Sequence, residues 1–378
     1  MKLKSARAMF MRGGTSKALV FDVRDLPENR TEWDAIFLAA MGSPDSAMRQ
    51  LDGMGGGISS LSKVCVVSAP TRQDADVDYT FAQISVDAAK VDYAGNCGNM
   101  VSAMGPAALE LGYVQGDDEE ITIRIHNTNT SKIISSTFVL ENGLLASHGD
   151  LKIDGVAGSA APIRLDFFEP GAAKTPSLLP SGSAVEELEL GDGIRVRASL
   201  VDAANPCVFV AAADLGKEGT ESPEYLASDR EFMTQMEKIR CAGSVRMGLT
   251  PNLQAAAEMA SIPKVAIVAA PADSWTLAGS QIKASEASLN VRMISMEQPH
   301  RALPITGAIC LAIACRIPDS IPARFAQLVP GPLTLSHPSG SLLVDADVVF
   351  GQGSFFAKSG TVYRTARKLF SGEVFYRQ

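Results

Sequence analysis

Ser62-Lys63-Val64-Cys65-Val66-Val67-Ser68-Ala69-Pro70 reads as a buried strand with a basic residue at its start, and the chain carries it twice. The second copy is Pro263-Lys264-Val265-Ala266-Ile267-Val268-Ala269-Ala270-Pro271. A short apolar run bounded by turn residues fits a strand covered on both faces. Outward from this pair, further echoes follow in the same order. Ala18-Leu19-Val20-Phe21 with Asp25-Leu26 matches Pro206-Cys207-Val208-Phe209 with Asp214-Leu215. Gly53-Met54-Gly55 matches Arg246-Met247-Gly248. Cys97-Gly98-Asn99, ahead of a helical run over 100–111, matches Thr306-Gly307-Ala308, ahead of one over 309–317. Each match is weak alone. Their collinearity, with slowly widening spacing, points to gene duplication.

Each half then carries a strand, a helix, a glycine-containing loop, the buried strand, further strands and an apolar helix. Segment 33–41 supplies the early helix of the first half and 231–241 that of the second. Neither late helix has a polar face, so each is buried all round. The expected class is α+β: a sheet curled around a central helix, made twice. A length of 378 residues also favours two domains. The boundary is expected within 169–193, where Pro170, Gly171, Pro176, Pro180, Gly182 and Gly191 cluster with acidic residues. That gives domains 1–185 and 186–378. The tail reads as a short helix over 364–370 and a strand after Gly372, returning to the first domain.

Net charge is −8 and the sequence pI is about 5.2. This argues against a nucleic-acid or anionic-membrane partner, since both need excess Lys and Arg. An anionic substrate would require local positive potential from a few basic side chains and backbone N–H groups. Segment 1–14 has no signal-peptide pattern, and no run has membrane-spanning length, so a cytoplasmic location is expected. The six cysteines then read as free thiols. With no C-x-x-C and no close Cys/His cluster, no metal is expected. Nothing suggests a nucleotide or flavin, so no cofactor is expected either. The apolar composition permits a homodimer.

Chemistry concentrates in four places. Asn96-Cys97-Gly98-Asn99 puts a thiol at the start of the buried helix, where the dipole favours thiolate. The N–H groups of Gly98 and Asn99 lack intrahelical partners and suit a carboxylate. A buried, inert cysteine fits the same position. Lys63 stands between the glycine loop 52–60 and an apolar strand, where partial desolvation would lower its pKa toward that of a general base. A surface lysine at a strand start is the plain alternative, and the duplicate Lys264 favours it. The loop itself, with Gly55 and Gly56, offers backbone N–H groups at low steric cost. It matches neither a P-loop nor a Rossmann fingerprint. Arg12-Gly13-Gly14-Thr15-Ser16-Lys17 reads as a turn with anion donors. Pro299-His300-Arg301 leads into Thr306-Gly307, and Arg suits bidentate carboxylate binding. Of the four histidines only His300 stands out; His126, His148 and His337 read as surface positions.

Together these residues resemble the 2-methylaconitate isomerase (PrpF-like) family, which includes 4-oxalomesaconate tautomerases and methylitaconate isomerases. The motifs are Met11-Arg12-Gly13-Gly14-Thr15-Ser16-Lys17, Asp52-Gly53-Met54-Gly55-Gly56, Ser62-Lys63-Val64, Asn96-Cys97-Gly98-Asn99, Arg246-Met247, His337-Pro338-Ser339-Gly340 and Arg364-Thr365-Ala366-Arg367. The resemblance implies a duplicated diaminopimelate epimerase-like fold with its active site between domains. It implies Lys63 and Cys97 as the catalytic pair. It further implies a small carboxylate substrate held by Ser16, Gly55, Gly56, Ser62, Asn96, Gly98, Asn99, Arg246, His300, Arg301, Thr306 and Gly307. Epimerases of this fold place a second cysteine at the other helix start; here Thr306 stands there and Cys310 lies one turn inside. That departure disfavours a racemase and suits a proton leaving one carbon and returning to another. An amino- or hydroxy-acid epimerase and a non-catalytic partner of a dehydratase are the competing readings.

Overall fold

Each copy of the duplicated strand is buried along nearly its whole length, so both of its faces are covered. A computed structural model describes residues 3–93, 97–116, 119–191, 193–328 and 330–377. The chain divides into two compact units, Met1–Phe167 with Tyr363–Gln378, and Phe168–Val362.

In the first unit, β1 (Leu3–Gly13) and β2 (Ser16–Asp22) form an antiparallel hairpin. Helix α1 (Trp33–Met41) crosses over to β3 (Lys63–Ser68), which lies parallel to β2. Strand β4 (Val77–Ile84) runs antiparallel to β3. After α2 (Gly98–Glu110), β5 (Glu120–Asn127) joins β4 in parallel and β6 (Lys132–Glu141) returns beside β5. Leu19, Phe21, Val64 and Val66 share one core with Trp33, Ile36 and Phe37 of α1. The alternate residues of β3, Lys63 and Cys65, therefore point away from α1, toward α2. Residues Met100 to Ala108 of α2 are all buried. Small residues make this fit: a Cβ at Gly105 would lie 2.7 Å from Ser136 Oγ and 2.9 Å from Phe138 Cε1.

The second unit repeats the plan. Strands β7 (Arg195–Ala203) and β8 (Asn205–Ala211) form the hairpin. Helix α3 (Arg230–Arg246) leads to β9 (Lys264–Ala269), parallel to β8. Strand β10 (Leu289–Ser295) is antiparallel to β9. Helix α4 (Ile305–Cys315) precedes β11 (Leu333–His337), parallel to β10, and β12 (Gly340–Gly351), antiparallel to β11. Pairing order and sense match the first unit throughout. Lys63 stands opposite Ala18 and Lys264 opposite Cys207, so the structural repeat sets Ala18 against Cys207, one residue on from the Ala18–Pro206 match read in the sequence. The α+β class and the duplicated sheet-around-helix architecture are as the sequence implies.

Some local expectations are corrected. Segment 364–370 is not helical: Arg364 ends one strand, and Ala366–Arg377 forms another, antiparallel to β1. The unpaired backbone groups of β1 outweigh a weak local helix preference. Helix α2 starts two residues before 100, α4 four before 309, and α3 runs on to Arg246. His126 is buried with its Nδ1 2.9 Å from Asp78, and His337 is buried too; only His148 is at the surface. Among the described residues, no helix is long and apolar enough to cross a membrane.

Candidate active site

Lys63 opens β3 and is only 7% exposed. Its Nζ donates to Gln83 Oε1 and lies 5.0 Å from the Phe81 ring centroid. Gln83 is the residue directly opposite on β4. Its Nε2 donates to the carbonyls of Ser62 and Ser59 at 2.9 and 3.0 Å, which turns its oxygen toward the lysine. Among the described residues no carboxylate pairs with Lys63. Gln83 and Phe81 escaped the sequence reading; strand alternation carries the signal, but the partner strand's register does not show in one sequence.

Cys97 caps α2 in extended backbone, φ −110° and ψ 94°, and its thiol makes no capping hydrogen bond. Its carbonyl accepts from Val101 N at 3.1 Å. The first-turn N–H groups of Gly98 and Asn99 have no partner among the described residues. Burial raises the pKa of the neighbouring Cys65 thiol; Cys97 raises it further and Lys63 lowers it. Burial and then Cys65 and Cys97 raise Tyr79 in the same way. Asn96 lies outside the described residues.

The β1–β2 turn presses against this helix start. A Cβ at Gly14, where φ is +51°, would lie 2.2 Å from Asn99 Oδ1, so only glycine fits. Asn99 Nδ2 donates to Thr15 Oγ1 at 3.1 Å, and Asn99 Oδ1 accepts from Arg364 Nε at 3.2 Å. Ser16 is buried opposite Gly13. Arg12 Nη1 donates to the carbonyls of Gly14 and Thr365, both at 2.9 Å.

The glycine loop is organised differently from the open anion cradle expected. Gly53 N donates to Gln50 O, Met54 N to Ala40 O and Gly55 N to Met41 O. Gly57 N and the buried Ser62 hydroxyl both donate to Gln50 Oε1, at 2.9 and 2.6 Å. These donors are spent on Gln50 and on the end of α1, whereas Gly56 N–H has no partner among the described residues.

In the second unit, Thr306 and Gly307 fall in the first turn of α4. His300 Nε2 is buried with no partner among the described residues. Burial lowers the His300 pKa, and Lys264 lowers it further. Burial also lowers the Lys264 amine. Arg246 and Arg301 are exposed and engaged by acids, Arg246 with Glu186 at 2.9 Å and Arg301 with Glu224 at 2.5 Å. Among the described residues, no group of three or more His, Cys, Asp or Glu side chains could hold a metal ion.

Two sheet-wrapped helices, with a lysine and a cysteine about one of them, define a class of fold shared with epimerases and isomerases. A hydroxyproline epimerase from Agrobacterium vitis superposes with a TM-score of 0.51 at 10% identity, covering 98% of this chain and 92% of that one. That likeness establishes the diaminopimelate epimerase-like fold alone. The family model described as PrpF protein matches residues 3–377. A (4E)-oxalomesaconate Delta-isomerase from Novosphingobium sp. (strain KA1) is 38% identical over 99% of this chain and 98% of its own length. The crystal structure of a methylitaconate-delta-isomerase has a TM-score of 0.91 and 33% identity, covering 100% of this chain and 96% of that one. The chain belongs to the PrpF family and is an enzyme of the isomerase class.

Proposed function

We propose that this chain catalyses a cofactor-independent allylic proton shift on a small unsaturated di- or tricarboxylic acid, with Lys63 and Cys97 as its acid–base pair. The observation that supports the reading is that Lys63 and Cys65 share the β3 face toward α2, the helix that Cys97 caps, and that its first N–H groups have no partner among the described residues. Unprotonated Lys63 takes a proton from the carbon allylic to the double bond. The electron pair of the broken C–H bond spreads into a dienolate over a neighbouring carboxylate or keto group. The N–H groups of Gly98 and Asn99, with the helix dipole behind them, stabilise the developing charge. A proton then returns at the far carbon, from the Cys97 thiol, and the lysinium proton restores the thiol. The double bond has moved, and no electrons or co-reactant are needed.

The catalytic pair belongs to domain 1–185 of this reading. Because Arg246 and Arg301 are already paired with acids, they carry less of the substrate charge. The candidate substrates are 4-oxalomesaconate, 2-methylaconitate and aconitate. Pro299-His300-Arg301 favours the first and Asn205-Pro206 the second. The reading extends to a cytoplasmic protein with no nucleic-acid partner, whose apolar composition permits a homodimer, which light scattering and fractionation would check.

Proton NMR in deuterated water tests the reaction. Offered these acids, the protein is expected to interconvert at least one with deuterium entering at the allylic carbon; no turnover or exchange of any would sink the proposal. Gln83→Leu removes the acceptor that aims Lys63. A misaimed base can lose about 10²-fold, so kcat should fall by that order with KM nearly unchanged. Unaltered kcat would show that Gln83 has no aiming role.

A further inference from the structure

In a chain of net charge −8, positive charge with no carboxylate partner among the described residues stands at the start of α2. Arg364 is 8% exposed, and burial lowers its guanidinium to about 10, so it stays cationic at neutral pH. Its Nε donates to Asn99 Oδ1 at 3.2 Å and its Nη1 to the Tyr363 carbonyl at 3.0 Å. Its Nη2 has no hydrogen-bond partner, and no carboxylate pairs with it, among the described residues. The buried Arg240 shows the contrast, with Nε and Nη2 both on the Glu237 carboxylate. Arg12, whose Nη1 reaches the carbonyl of Thr365, is likewise held by carbonyls alone among the described residues and stands opposite Arg367 in the strand register. A buried cation held only by neutral acceptors is costly unless an anion meets it. Guanidinium is the side chain best shaped to take a carboxylate by two parallel hydrogen bonds.

We propose that Arg364 binds one carboxylate of the substrate, its Nη2 acting with the N–H groups of Gly98 and Asn99, which have no partner among the described residues. The proposal rests on the isomerase reading only for the identity of the acid. Asn99 then has a defined part: its oxygen orients the guanidinium, and its own amide is tied to Thr15.

The test uses isothermal calorimetry with tricarballylate, a saturated tricarboxylate that cannot isomerise, alongside steady-state turnover. Losing a charge-assisted hydrogen-bond pair corresponds to about ten- to a hundredfold in affinity. Arg364→Met should weaken tricarballylate binding and raise KM by that factor, with Arg364→Lys in between. Should Arg364→Met fail to fold, Asn99→Asp serves instead. It places a carboxylate on Arg364, and is expected to raise the thermal midpoint while weakening the ligand. A merely structural arginine predicts the stabilisation without the loss of binding. Wild-type turnover with unchanged KM and binding in these variants overturns the proposal and leaves the isomerase reading standing. Absence of wild-type turnover overturns the isomerase reading, and calorimetry still decides on Arg364. Failure of the wild type to bind tricarballylate overturns the arginine site.

Discussion

Lys63→Met is expected to lower kcat/KM for the allylic shift by about 10²–10⁴-fold, the usual contribution of a positioned general base. Methionine keeps the length and apolar stem of the side chain beside Phe81 but cannot accept a proton. Stability should therefore change little, and a thermal melt run beside the NMR rate separates lost chemistry from lost folding. Lys63→Arg should fail almost as badly, because a guanidinium does not give up its proton near neutral pH. The duplicate lysine is an internal control. Burial lowers the Lys264 amine, yet the helix start of its unit is capped by Pro304 and carries Thr306 in its first turn, where the first unit has Cys97 as cap. Lys264→Met should leave isomerisation measurable. A wild-type rate in Lys63→Met would remove Lys63 from the reaction.

Much of this molecule is legible in one sequence, for a physical reason. A buried strand or helix has no polar face to vary, so both copies of Lys-Val-Cys/Ala-Val/Ile and both apolar helices stay recognisable after duplication. Elements that rely on a distant partner are less visible. The segment 364–370 forms a strand because β1, more than 350 positions earlier, offers it a ladder from Leu3↔Arg377 to Gly13↔Ala366. Arg364 is hidden for the same reason: its importance lies in what surrounds it, and Asn99 is far off along the chain. The glycine loop illustrates the opposite difficulty. Its composition reads as a row of free N–H groups, but Gln50 and the end of α1 use most of them. Arg246 and Arg301 carry the right charge for a carboxylate, and acidic neighbours invisible to local sequence engage both.

Cys97→Ala separates the two halves of the proton transfer. Lys63 is untouched in this variant, so removal of the allylic proton should continue and deuterium from solvent should enter that carbon. Delivery at the far carbon should fail, lowering isomerisation by about 10²–10⁴-fold. Exchange without isomerisation, both read in a single NMR sample, is thus the expected signature. Cys97→Ser should resemble it, since a serine hydroxyl is a far weaker acid than a thiol held at a helix N-terminus. The geometry favours this division of labour: Cys97 sits at the positive end of α2 with no capping bond to its thiol, whereas Lys63 Nζ is held by Gln83 on the β3–β4 face. Isomerisation at the wild-type rate in Cys97→Ala would mean that lysinium returns the proton itself, by a suprafacial path across one face of the dienolate. Loss of exchange together with isomerisation would instead place Cys97 in holding the substrate against Lys63.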